Sequence, residues 1–327
     1  MRAGIDLGGT TIRAGLVEDR AVRVVHEAPT PADGSEEDVL EQIYALLDRL
    51  PIEEAASIGA GVPSMVDVDT GVVYDVQNIP SWTEVPLGAR LEARYDVPVY
   101  IQNDANCFAL AEYHFGAGGG QSPMVGLILG TGFAGGIVLD GELFSGRNCG
   151  AGEFGTAPYR DGIYEHYCAG LFFEREYGVT GAEAYDRATS GDEDARAMFE
   201  EMGTHLGHAI KSVLYAVDPA HIVLGGSVRR AYPLFEEAMW AEIETFAFSR
   251  ALDTLTFDLS ELKHAGVLGA AALGFDLPFS SNGGRAPAPA NSVFHPAPTY
   301  ENDRVCSGLS PARSCLRRRG RSGSPHD

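Results

Sequence analysis

The chain has 327 residues, 45% of them apolar, and a formal net charge of −22 from 46 acidic and 24 basic side chains. That length suits one large domain or two medium ones, and so acidic a surface repels nucleic acid and anionic membranes, so neither is expected as a partner. No stretch approaches the ~20 apolar residues of a membrane helix, and Met1 runs directly into strand-like sequence without room for a signal peptide; a cytoplasmic protein is expected.

The first segment reads as three strands, Ala3 to Leu7, Thr11 to Val17 and Ala21 to Glu27. Glu36 to Leu50 has helical spacing, with Val39, Leu40, Ile43, Leu46 and Leu47 on one face. Strands follow at Ser57 to Val62 and Val97 to Gln102, then a helix from about Asp104 to Phe115. Met124 to Leu129, a glycine turn, Gly136 to Leu139 and a hairpin repeat the opening pattern. A long helix spans about Glu193 to Val217, followed by a strand at His221 to Leu224 and helices at Pro233 to Ser249 and Gly266 to Phe275. Two copies of a three-stranded meander with helices predict a duplicated α/β domain with a cleft between the halves, where ligands usually sit. The expected division is 1–115 plus about 264–276, then 116–263.

From Leu277 the sequence turns to Pro, Ser, Gly and Arg, as in Arg317-Arg318-Arg319-Gly320-Arg321. Residues 277–327 cannot offset their ordering entropy and are expected to be disordered. They read as a frame-shifted readthrough rather more than as a genuine basic tail, and carry no assigned role. The cysteines, Cys107, Cys149, Cys168, Cys306 and Cys315, form no Cys-x-x-Cys pair and read as free thiols. The acidic excess with two lysines, Lys211 and Lys263, fits either plain solubility or a halophilic source, where a Debye length of about 3 Å at 1 M hides self-repulsion.

Four short motifs carry chemistry. In Asp6-Leu7-Gly8-Gly9-Thr10-Thr11 the glycines let backbone N–H groups approach phosphate oxygens, and Asp6 could hold Mg²⁺ through water; an ordinary glycine hairpin reads the same. Gly130-Thr131-Gly132-Phe133-Ala134-Gly135 matches Gly-x-Gly-x-x-Gly, but β-branched residues and a turn follow where a dinucleotide fold needs a helix. A second phosphate hairpin explains those glycines better. Gly225-Gly226-Ser227, after a strand and before a helix, could lie against a base and ribose, or be a plain strand-to-helix turn. Asp104, in Gln102-Asn103-Asp104-Ala105-Asn106, ends a strand and could take a proton from a hydroxyl, or cap the next helix.

In that order these motifs resemble the actin-like ATPase superfamily (ribonuclease H-like domains). More closely, about residues 2 to 276 resemble the ROK family (repressors, open reading frames, sugar kinases), with Gly61-Val62-Pro63 and Gly152-Glu153-Phe154-Gly155 as further matches. The resemblance implies ATP- and Mg²⁺-dependent phosphorylation of a hexose, glucose or a relative, at its 6-hydroxyl. It implies Asp104 as general base, ATP at Asp6, Gly8, Gly9, Thr10, Thr11, Gly130, Thr131, Gly132, Gly225, Gly226 and Ser227, and sugar at Asn78, Asn103, Asp104, Glu153 and Glu165. Relatives are often dimers or tetramers, so a homo-oligomer is expected.

Two departures stand out. Thr156 replaces the histidine of the family's Glu-x-Gly-His motif, at the sugar. The family's zinc-binding cysteine segment is replaced by Tyr159-Arg160-Asp161-Gly162-Ile163-Tyr164, and Cys168 alone cannot make a tetrahedral site, so no zinc is expected. His205 and His208, three apart on the long helix, read as polar-face residues. A sugar-responsive repressor would carry a helix-turn-helix before the first hairpin; a sugar-binding regulatory protein without kinase activity is the other alternative.

Overall fold

The computed structural model describes residues 1–275; the tail expected to be disordered lies outside the described residues. Arg2–Leu7, Thr11–Glu18 and Ala21–Pro29 form an antiparallel meander. Arg2–Leu7 also pairs in parallel with Ile58–Val62, which pairs in parallel with Val99–Asn103. The second sheet repeats this plan. Met124–Leu129, Phe133–Leu139 and Glu142–Leu143 form its meander, and His221–Gly225 and Thr256–Leu259 add in parallel. Both sheets have five strands in the same order, as the repeated sequence pattern implies. Every residue of Ile58–Val62 and of His221–Gly225 is buried, which is why, His221 apart, these parallel strands read as small or apolar runs.

Local chemistry sets the boundaries. The helix Glu36–Leu47 starts at a capping box: the Ser35 N–H donates to Asp38 Oδ2 (2.8 Å) and the Asp38 N–H to Ser35 Oγ (3.2 Å). It stops before the expected Leu50 because Pro51 disfavours helical geometry in the residue ahead of it. The strand expected from Val97 begins at Val99, after Pro98, which has no N–H to give the ladder. The 25-residue helix Glu193–Val217 is capped by Asp192, whose side chain accepts from the Ala195 N–H at 3.1 Å. The helix expected over Pro233 to Ser249 is two, Tyr232–Ile243 and Ser249–Thr254. Between them Thr245 Oγ1 donates back to the Glu242 carbonyl at 2.7 Å and receives Lys211 Nζ at 2.8 Å, a side-chain bond that competes with helix continuation.

Each sheet is covered by a helix from the other half of the chain. Asp104–Phe115 follows the edge strand of the first sheet but packs on Met124–Leu129 and Phe133–Leu139 of the second. Ala265–Ala272 follows the second sheet and packs on Arg2–Leu7 and Ile58–Val62 of the first. The two helices cross at Gly269, where any Cβ would lie 1.7 Å from the Cys107 carbonyl oxygen, so only glycine permits the contact. The Asp104 helix thus bridges the two sheets, following the edge strand of the first and packing on the second.

Candidate active site

The strand Val99–Asn103 passes into the helix Asp104–Phe115 without a loop. Asn103 caps that helix: its Oδ1 accepts from the N–H groups of Ala105 (2.9 Å) and Asn106 (3.4 Å), and its Nδ2 donates to the Ser64 carbonyl (3.3 Å). Asn103 thereby fills the capping role that its type and that of Asp104 both favour. Asp104 is half-buried, with Oδ1 also accepting from Ala105 N–H at 2.8 Å. Burial pushes its carboxyl up to about 6; the Ala105 N–H opposes this, and the charges of Asp6 and Glu153 add to it.

Asp6 is the last residue but one of the strand Arg2–Leu7 and faces Arg13 across the ladder, with Arg13 Nη1 3.5 Å from Oδ2. Burial raises its carboxyl above the usual range, and Arg13 partly offsets that. Beyond it the first glycine turn is shaped by the Gly8 N–H donating to the Thr11 carbonyl (3.0 Å) and by Thr30 Oγ1 donating to the Gly8 carbonyl (2.6 Å). Thr10 is exposed at its tip. Asn78 is exposed too and lies against the Gly9 backbone, so it adjoins the first turn.

The second glycine turn is held from beneath. The Gly132 carbonyl accepts from the Gly130 N–H (2.9 Å), and the Gly130 carbonyl accepts from the Gly170 N–H (2.8 Å). Glu165 Oε2 accepts from the Phe133 N–H at 2.9 Å, so this carboxylate is anchored to the turn that leaves Thr131 exposed. Glu153 lies on a loop pressed onto the same hairpin: a Cβ at Gly155 would fall 1.9 Å from the Phe133 carbonyl oxygen. Burial, then the charge of Glu165, raises the Glu153 carboxyl. Thr156 is exposed, and its Oγ1 donates to the Glu153 carbonyl at 2.9 Å, closing the turn that carries the glutamate.

The third turn follows the strand His221–Gly225. Gly226 has φ 85°, and its backbone lies against Leu129, just ahead of the second turn. Arg229 fixes it, with Nη1 donating to the Gly226 carbonyl (2.8 Å) and Nε to the Ser260 carbonyl (2.9 Å). Ser227 is exposed beside it.

The structure thus couples Asp6, Asp104, Glu153 and Glu165 in one acidic site, with the second and third turns in contact at Gly130 and Ser227, whose hydroxyl lies 3.9 Å from where a Gly130 Cβ would be. Arg13 and Arg229 drew no attention in the sequence. Arg13 was findable: a turn over Gly8 to Thr11 pairs Leu7 with Ile12, and so Asp6 with Arg13.

The stretch that the resemblance set against a zinc-binding cysteine segment folds as a hairpin, Pro158–Tyr159 with Gly162–Ile163. Tyr159 stacks on Tyr164, centroids 4.5 Å apart and 18° from parallel, and its hydroxyl sits 3.1 Å from His205 Nδ1. Tyr164 reaches Ser212 Oγ at 2.8 Å, and Arg175 Nη2 donates to Asp161 Oδ2 at 2.8 Å. Phenols and one buried thiol, Cys168, are not a zinc donor set. Among the described residues no group of three or more His, Cys, Asp or Glu is placed to hold a metal ion. The reading of His205 as a polar-face residue is corrected here: it is 1% exposed, ringed by Tyr159, Tyr167 and Phe172, and burial lowers its pKa. His208 does face a polar partner, Glu242, at 3.1 Å.

Duplicated five-stranded sheets of the same strand order with exchanged helices define the actin-like ATPase fold. Residues 2–276 match the ROK family, and the chain belongs to it. It is 30% identical over 304 residues to a glucokinase of Thermotoga maritima, spanning 83% of this chain and 96% of that protein. It is 35% identical over 266 residues to an N-acetyl-D-glucosamine kinase of Vibrio parahaemolyticus, spanning 72% and 87%. Among solved structures, a ROK family glucokinase from Streptomyces griseus in complex with glucose and AMPPNP superposes with a TM-score of 0.71 at 26% identity, covering 83% of this chain and 98% of that one.

Proposed function

We propose that this chain is an ATP-dependent hexose kinase in which Asp104 accepts the proton of the attacking hydroxyl, the 6-hydroxyl of glucose or a related hexose. The observation that carries the reading is that Asn103 takes over the helix cap, leaving Asp104 as a carboxylate raised to about 6 by burial and by the charges of Asp6 and Glu153. Such a group is ionised at neutral pH yet basic enough to share a proton in the transition state. Phosphoryl transfer needs little beyond positioning and charge neutralisation. Backbone N–H groups at Gly9, Thr10 and Thr11 and at Thr131 and Gly132 would cradle phosphates, with Gly8 and Gly130 closing the two turns through their own N–H bonds, and Gly225, Gly226 and Ser227 would hold the nucleoside.

Magnesium fits at Asp6. Asp6 is a half-buried carboxylate beside the first glycine turn; burial raises it, and the Arg13 guanidinium 3.5 Å away works against that rise, so its ionised form would hold a water-bridged cation. When bound, that ion would neutralise phosphate charge. Glu153 and Glu165 would accept from sugar hydroxyls, with Asn78, Asn103 and Thr156 as further contacts; Asn103 would do so with amide capacity left after capping. Lobes 1–115 with 264–276, and 116–263, would close over the pair and exclude water, limiting ATP hydrolysis. The names of the two relatives differ at the acetamido group, and the choice of hexose belongs to the experiment. ADP release is measured over a panel including glucose, mannose and N-acetylglucosamine, in low and high salt. Turnover with at least one is expected. Folded protein that binds a sugar but releases no ADP would replace the kinase by the sugar-binding regulatory alternative.

A further inference from the structure

Gln102 precedes the asparagine cap and has no part in the mechanism above, yet its side chain is 5% exposed and its Oε1 is a hub. That single oxygen accepts from the Asn103 N–H (2.9 Å), from Asn106 Nδ2 (3.2 Å) and from the thiol of Cys149. Cys149 comes from the loop after the second sheet's hairpin, but it is 1% exposed and buried in the core of the first half. Its φ is 60°, a left-handed conformation costly for any residue with a Cβ. Such a conformation persists where the surroundings hold it, and here the contacts of the thiol with Gln102 and Asn106 do so. Four residues on, the same loop delivers Glu153.

We propose that the Gln102–Cys149 contact is a positioning device, which ties the loop carrying Glu153 to the strand end carrying Asp104. The thiol hydrogen bond, rather than the bulk of the side chain, sets the spacing of the two carboxylates across the sugar. Asn106, which also donates to Cys149 Sγ at 3.7 Å, and the Asn103 N–H hold Gln102 in the orientation that receives the thiol. This proposal rests on the kinase reading for its sugar, but not for its contact.

The test compares Cys149→Ala with Cys149→Ser, which differ in having a donor. Cys149→Ser is expected to keep the sugar KM within about threefold of wild type, while Cys149→Ala raises it about tenfold, the scale of one lost hydrogen bond, with the ATP KM unchanged. Should Cys149→Ala fold poorly, Cys149→Gly removes the thiol while relieving the left-handed backbone, and should raise the sugar KM likewise. Hydrogen exchange gives a readout independent of turnover. The amides of 150–156 and of Asn103 should exchange faster together in the Ala and Gly variants, and not in Ser. Ala and Ser behaving alike in both measurements would overturn the proposal. If wild type phosphorylates no sugar the kinase reading falls, and exchange alone then decides for or against the tie.

Discussion

Replacing Asp104 by asparagine keeps the oxygen that receives the Ala105 N–H and deletes the charge. The folded carboxyl sits at about 6 against an ordinary value of 3.8, so protonation is favoured by folding. Its stabilising contribution is complete below the ordinary value and lost as pH rises through about 6, so at neutral pH the ionised group works against the fold. Asp104→Asn should therefore raise Tm at pH 7.5, by the equivalent of about 1–3 kcal/mol, and lose that advantage at pH 3.5. The same variant should bind sugar nearly as well as wild type while turnover falls about 10²–10⁴-fold. Differential scanning calorimetry and the ADP assay read the two arms, and an unchanged turnover would remove Asp104 from the base role. In wild type, kcat/KM should climb through an acidic limb near pH 6 and then level off. Glu153→Gln removes one of the charges that raise Asp104, so it should move that limb to lower pH while weakening the sugar KM. A limb that stays in place would show that the two carboxylates do not sense each other.

Elements differ in how much of them the sequence discloses. Glycine turns announce themselves, because few other residues tolerate close backbone approach, and the meanders around them followed from alternating apolar runs. Thr256–Leu259 has four residues and an alternating pattern too short to separate from a loop, so the fifth strand of the second sheet went unseen. The capping roles of Asn103 and Asp104 were not separable, since both side chains favour that position and only the fold decides that Asn103 receives the Ala105 and Asn106 N–H groups. The missing zinc cysteines were visible, but not the Tyr159–Tyr164 stack in their place, nor that it would bury His205. Gln102 and Cys149 are 47 residues apart, beyond any local pattern. At the third turn, Gly226→Ala would put a Cβ 2.1 Å from the Leu129 carbonyl oxygen at a φ of 85°. A loss of about 1–3 kcal/mol is expected, and the ATP KM should rise more than the sugar KM. An equal rise in both would argue that the turn shapes the whole site rather than the nucleotide end.

At the scale of the molecule, a net charge of −22 means that folding concentrates carboxylates on one surface. Salt should relieve that repulsion. Raising KCl from 0.1 to 2 M is expected to lift Tm by roughly 5 °C or more, and a falling Tm would count against adaptation to salt. Among the described residues no helix is long and apolar enough to cross a membrane. The exchanged helices have a consequence for biosynthesis. The face of the first sheet covered by Ala265–Ala272 is made early and its cover is made late, on the order of ten seconds later at ordinary translation rates. During that interval the nascent N-terminal half presents a bare apolar sheet, and a chaperone that shields it would have to let go before the last helix could dock.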